Sequence, residues 1–250
     1  MRRIIVLNSK GGCGKTTIAT NLASYYAAQG RVTALLDYDP QGSSIRWLGT
    51  RSDDYEPIHG VEAYQRSRGD VTRSWQLRVP PDTERVVIDA PAGIGGQDLV
   101  DYVSQVDVIL LPVLPSPIDI HAASRFIQDL LLVGKVRSRD IRLGVIANRV
   151  KENTLVFQAL ERFLTSLRLP FVARLRDTQY YVRAAEQGVG IHDLEESRVE
   201  RDKEQWAGLI DWLEPPAAEA GAEEGRRRTH DSGAPGSAAS RAHGTAYIGK

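Results

Sequence analysis

The string Ser9-Lys10-Gly11-Gly12-Cys13-Gly14-Lys15-Thr16-Thr17 constrains this chain more than any other. An apolar run, Ile4-Ile5-Val6-Leu7, precedes it, and an Ala-rich segment over residues 15–29, ending at Gly30, follows. Strand, glycine-rich loop and helix in that order turn backbone N–H groups toward a phosphate. Gly11, Gly12 and Gly14 allow the tight backbone and its close approach to an anion. Lys15 stands where a lysine reaches β- and γ-phosphates, Thr16 where a hydroxyl meets Mg²⁺, and Thr17 beside the α-phosphate. The general pattern is Gly, four residues, then Gly-Lys-Ser/Thr. Here Ser9 replaces the first glycine, and a second lysine, Lys10, follows it.

Further apolar, β-branched runs recur: Val32–Leu36, Arg85–Ile88, Val106–Leu111 and Leu143–Ala147. Runs of this kind suit strands buried on both faces of a parallel sheet. Helical spacing marks residues 118–134, 153–167 and 200–213. The repeated βαβ order predicts a doubly wound α/β fold, a mainly parallel sheet with helices on both faces. Val61–Tyr64 reads as a possible short strand, and the rest of residues 50–82 as surface turns with room for a helix. An ATPase domain is expected over 1–213. Residues 214–250 hold almost no large apolar side chain and are expected to be a disordered tail.

Composition narrows the choices. The chain has 250 residues and a formal net charge of zero, so affinity for an acidic polymer or membrane must come from a local patch. A single cysteine, Cys13, excludes an intramolecular disulfide and a cysteine-held cluster. The five histidines lack ligand spacing. No signal peptide and no run near the roughly 20 apolar residues of a membrane span is seen, so a cytoplasmic location is expected.

Lys-Gly-Gly-x-Gly-Lys-Thr-Thr resembles the deviant Walker A box of the ParA/MinD ATPases. Two further strings are similar to that family's boxes: Asp37-Tyr38-Asp39-Pro40-Gln41 after the second run, and Val86-Val87-Ile88-Asp89 in the third. The resemblance implies ATP and Mg²⁺ as ligands. Lys10, Lys15 and Asp39 become the catalytic set, with Lys10 reaching across an ATP-sandwich homodimer to the partner's phosphates and Asp39 positioning the attacking water. Thr16, Asp37 and Asp89 become the Mg²⁺ set. Gly11, Gly12, Cys13, Gly14, Lys15, Thr16 and Thr17 would hold phosphates, and Asn148 and Arg149 the adenine.

Leu111–Asp119 is similar to the proline-rich segment of small ParA proteins. ParA-like members bind nonspecific DNA, which points to Arg174, Arg176, Arg183 and Arg201 and to a nucleoid-associated protein. No helix-turn-helix precedes the loop, so sequence-specific reading is not expected. A cargo-adaptor protein that stimulates hydrolysis is the other implied partner, the cargo being a plasmid, a chromosome or a protein body such as a carboxysome. Two alternatives remain open: a MinD-like membrane regulator, and a metabolic P-loop enzyme. The 200–213 segment has an apolar stripe but mixed charges, unlike a basic membrane-surface helix.

Overall fold

The computed structural model describes residues 1–64, 77–136, 138–151, 154–167 and 169–215. The chain divides into two compact units, Met1–Ile210 and Asp211–Lys250. Of the second, only residues 211–215 are described. The expected tail from 216 onward, and residues 65–76, lie outside the described residues.

The first unit is built on a sheet of seven strands: β1 (Arg2–Val6), β2 (Thr33–Asp37), β3 (Ile58–Glu62), β4 (Arg85–Asp89), β5 (Val108–Val113), β6 (Arg142–Val150) and β7 (Phe171–Arg176). Their order is β3-β2-β4-β1-β5-β6-β7, and every described pairing is parallel. The helices are α1 (Lys15–Ala28), α2 (Ser43–Leu48), α3 (Gly96–Val103), α4 (Pro117–Leu132), α5 (Leu155–Leu167), α6 (Tyr180–Glu186) and α7 (Glu200–Leu213). Two short 3₁₀ turns, Ile191–Asp193 and Ser197–Val199, precede α7. The five expected strands and four expected helices are all present, with ends that coincide or shift by at most three residues.

The central strands read as near-continuous apolar runs because both faces are covered. β2 and β5 are buried along their whole length. α1 is buried almost all round, including Ile18, Leu22, Ala23 and Tyr26. One side of it lies on the sheet and another against the 3₁₀ turn at Ile191–Asp193. The main core cluster joins β1, β2, β4, β5 and β6 to α3, α4 and α5 through residues such as Leu7, Val86, Leu99, Ile109, Phe126, Val145 and Leu160.

Three short helices and one strand, β7, escape a reading by periodicity. α2 has six residues, too few for a helical period to show. It packs so closely on β3 that a Cβ on Gly60 would collide with Leu48 and Ile45. The expected strand at Val61–Tyr64 is β3, begun three residues earlier at Ile58. β7 was hidden by its arginines. Val172, Ala173 and Leu175 are buried, so both faces of this end strand are partly covered, and Arg174 is exposed.

Register decides where the site falls. Asp37 and Asp89 are paired neighbours on β2 and β4, and Val6 is level with Asp89 on β1. The loops leaving β1, β2 and β4 therefore start side by side at the carboxyl edge of the sheet, where open α/β sheets bind ligands.

Candidate nucleotide site

The loop between β1 and α1 is fixed from both ends. Asn8 Nδ2 donates to the Pro112 carbonyl at 2.7 Å, and Asn8 Oδ1 accepts from the Lys10 N–H at 3.0 Å. Gly14 adopts φ 95°, and a Cβ there would overlap the Asn148 amide nitrogen. That nitrogen donates to the Cys13 carbonyl at 2.8 Å. Only glycine satisfies both the positive φ and this close approach. α1 begins directly after Gly14, without a side-chain cap and without an acid in its first turn. Its free N–H groups and dipole thus face an anion with no internal competitor.

The two lysines point to different places. Lys15 is 7% exposed, and its Nζ donates to the Lys10 carbonyl at 3.1 Å, inside the loop's own curve. Lys10 Nζ turns outward to Asp119 Oδ1, 2.5 Å away on the first turn of α4. Asp119 is also hydrogen-bonded to Ser116, the α4 N-cap. Asp119 was not singled out in the sequence, although Ser116-Pro117-Ile118-Asp119 has the spacing of a capping box.

The carboxylates divide their work. Asp89 is 1% exposed, and neither oxygen makes a hydrogen bond within geometric limits. Burial pushes its carboxyl up to about 7, with Asp37 and Asp39 adding to the effect and the nearby Thr16 hydroxyl and Lys15 opposing it. An orphaned buried carboxylate beside a threonine hydroxyl suits a hard, oxygen-seeking cation such as Mg²⁺. Asp37, expected in the Mg²⁺ set, is occupied otherwise. Its Oδ1 accepts from the Asp39 N–H at 3.0 Å, and its Oδ2 from Ser44 and Ile45 N–H at 3.0 and 3.2 Å. It holds the turn that carries Asp39 and the start of α2. Asp39 Oδ1 accepts from the Gln41 N–H at 2.9 Å, and the side chain is partly exposed.

Asn148 and Arg149 also differ from expectation in detail. The Asn148 side chain is committed, its amide to the phosphate loop and its oxygen to the Arg149 N–H at 3.0 Å. It buttresses the loop. Arg149, at φ 53°, is exposed. Both residues border a cavity of about 620 Å³ that also meets Thr17, Asp177, Gln179 and Tyr181. A cavity beside Thr17, on the first turn of the helix that follows the phosphate loop, fits a base. No sequence signal marked α6 as its far wall.

The four arginines are held in different ways. Arg176 makes a two-pronged pair with Asp202, at 2.5 and 2.7 Å, and Asp202 is fully buried. That pairing also raises the Arg176 pKa. Arg176 is therefore an internal anchor of α7, because a buried carboxylate needs its charge. Arg174 pairs with Glu161 at 2.6 Å and lies over Phe157 and Phe171. Arg183 pairs with Glu196 at 2.7 Å. Both pairs are at the surface, where such contacts are weak and exchangeable. Arg201 is exposed on the first turn of α7.

A parallel sheet with a phosphate loop after β1, an acid after β2 and a buried acid ending β4 defines a P-loop nucleotide-binding protein. The sequence model of the CobQ/CobB/MinD/ParA nucleotide binding domain matches residues 4–191, and the chain belongs to that family. Among relatives, a maintenance of carboxysome distribution protein A from Halothiobacillus neapolitanus is 29% identical over 194 residues, covering 76% of this chain and 87% of that one. Its namesake from Gloeobacter kilaueensis is 33% identical over 195 residues, 76% and 83%. The chromosome-partitioning ATPase Soj of Thermus thermophilus is 51% identical over 68 residues, 24% and 27%. Apo McdA of Cyanothece superposes with a TM-score of 0.64 at 17% identity, over 82% of this chain and 97% of that one. MinD of Aquifex aeolicus gives 0.62 at 19%, over 86% and 99%. At these identities the structural likeness is one of fold. Among the described residues, no helix is long and apolar enough to cross a membrane.

Proposed function

We propose that this chain is a ParA-type ATPase. It binds ATP and Mg²⁺, dimerises around the nucleotide, holds nonspecific DNA, and positions a cargo until an adaptor protein stimulates hydrolysis. The observation that carries this reading is the divergence of the two lysines. Lys15 curls into its own loop, whereas Lys10 directs its ammonium away from it. A loop that serves only its own phosphate has no need of the second.

In this reading Lys15 and the N–H groups of residues 11–17 bind the phosphates. Thr16 and, through water, Asp89 hold Mg²⁺, with Asp37 shaping the neighbouring turn. When bound, the ion supplies charge compensation for the β- and γ-phosphate oxygens. Asp39 orients a water in line with the γ-phosphorus. Lys10 of a second copy then adds a cation in trans, where negative charge develops. The base occupies the cavity beside Arg149, Gln179 and Tyr181. Arg174, Arg183 and Arg201 are the arginines offered to DNA phosphates, and Arg176 is retained by Asp202.

Relatives named for carboxysome distribution match along most of their length, which supports cargo positioning, whether of a protein body or of a replicon. The decisive experiment uses Asp39→Ala, which is expected to bind ATP and dimerise but to lose hydrolysis by at least a hundredfold. Unchanged turnover would remove Asp39 from its role. If the ATP-loaded protein ignored DNA but sedimented with anionic vesicles, the membrane-regulator reading would replace this one. Turnover that required a small metabolite and no dimer would point instead to a metabolic enzyme.

A further inference from the structure

Arg51 and Asp193 form an ion pair whose side chains are each only 4% exposed. Arg51 stands three residues after α2, and its N–H returns to the Leu48 carbonyl. Its guanidinium lies over the Trp47 and Tyr55 rings. Its Nη1 meets Ser24 Oγ of α1 at 2.9 Å, and both Asp193 Oδ2 and the Gly188 carbonyl at 3.3 Å. The Ser24 hydroxyl also donates to Asp193. The other amino group, Nη2, is buried with no hydrogen-bond partner among the described residues. A buried pair of this kind adds little stability that apolar side chains of the same size would not supply. Its directional bonds instead select one arrangement of the elements that meet there.

Three elements meet at the pair, and each also reaches the nucleotide site. α1 starts at the phosphate loop with Lys15, Thr16 and Thr17. α2 starts on the Asp37 carboxylate, which also holds the Asp39 N–H. α6 walls the cavity beside Thr17 with Tyr181, Val182, Ala185 and Glu186, and ends two residues before Gly188. The segment that follows is wedged between α1 and α2. Gly188 has φ 67°, and a Cβ there would overlap the Thr50 and Arg51 backbone. The Gly190 N–H donates to Ser24 Oγ at 3.2 Å, the Ile191 N–H to Asn21 Oδ1 at 2.6 Å, and Trp47 Nε1 to the Val189 carbonyl at 3.3 Å. α2 has six residues, about 9 Å along its axis, so a shift at its Arg51 end is passed to its Asp37 end.

We propose that Arg51 is a positioning residue which, through α2, couples occupancy of the cavity walled by α6 to the placement of Asp39. A base in the cavity holds α6, α6 holds the Gly188–Asp193 segment, and Arg51 carries that hold to the turn bearing Asp39. Hydrolysis then answers to the base of the nucleotide as well as to its phosphates. The proposal rests on the roles given above to Asp39 and to the cavity.

The test compares ATP with ribose 5-triphosphate, which has the phosphates and the sugar but no base, on the full chain with Mg²⁺. At saturation the parent should turn over ATP at least about tenfold faster. Arg51→Met combined with Asp193→Asn removes both charges, keeps an acceptor for Ser24 and Gly190, and strands no carboxylate. This double variant should lower kcat on ATP to nearly the ribose 5-triphosphate rate, leave that second rate unchanged, and keep ATP affinity within about threefold. Lost packing alone would lower both rates alike. In the parent, ATP should slow hydrogen exchange over residues 43–51 and 187–193, whereas ribose 5-triphosphate should slow it only around the phosphate loop. That measurement needs no variant and decides the matter even if the double variant does not fold.

A parent without ATP turnover, or with turnover that survives Asp39→Ala, overturns the reading of the site and this proposal with it. Turnover that needs Asp39 but is equal on the two substrates, or that falls equally on both in the double variant, overturns the coupling alone. So does the absence of ATP-specific slowing over residues 43–51.

Discussion

At the scale of single residues, Lys10 and Lys15 are five positions apart in one loop and take different partners, Asp119 and the loop's own Lys10 carbonyl. Their substitutions should therefore separate. Lys15→Ala removes the cation enclosed by the loop and should weaken ATP binding at least a hundredfold, by equilibrium titration. Lys10→Ala leaves the enclosing loop intact. It should keep nucleotide affinity within about tenfold yet lose adaptor-stimulated hydrolysis, and normal stimulated turnover would end the case for a lysine acting in trans. The loop string offers both lysines and the Asp37–Gln41 string offers Asp39 for these proposed roles, because phosphate chemistry needs a local order of residue types. The roles of Asp37 and Asn148 were not. Each is set by which backbone groups the fold brings within 3 Å, the α2 N-terminus for one and Cys13 for the other.

At the scale of elements, α7 is tied to the sheet by a charge and to α1 by an aromatic contact. The charge is the Arg176–Asp202 pair. Arg176→Met strands a fully buried carboxylate and should cost about 3–5 kcal/mol, read by denaturant unfolding. Adding Asp202→Leu should recover a large part of that loss, which a role for Arg176 in DNA contact alone would not allow. The aromatic contact is His192, packed against Tyr25 of α1 and Trp206 of α7, with its Nε2 buried and unpartnered. Burial, aided by Lys203 and opposed by Asp193 and Glu200, lowers its pKa to about 4. The unfolded chain thus takes up this proton first as pH falls. Stability from His192 is present above about 6.5 and is lost as pH falls toward 4. His192→Gln should flatten the melting temperature over that window, and an unaltered slope would show that His192 does not titrate as the geometry implies.

At the scale of the whole molecule, a chain of zero net charge can hold DNA only through a local and modest set of cations. Retention of the ATP-loaded protein on DNA should fall about tenfold or more between 50 and 200 mM salt, following the counterions released. Replacing Arg174, Arg183 and Arg201 together by Ala should abolish it without changing dimerisation. Retention that survives both changes would place the DNA face elsewhere.

The sequence by itself determined the fold class and the family, and supplied the candidate phosphate-binding residues, since each is written in short stretches of neighbouring residues. Only the tertiary structure decided the rest: that β7 joins the sheet, that Arg176 is an anchor, that Asn148 braces the loop, and that Lys10 leans on Asp119. A charged or amide side chain takes its role from the partner it meets. Here those partners lie from 26 to 135 positions away along the chain. Periodicity and local motif carry no record of a contact made at that separation.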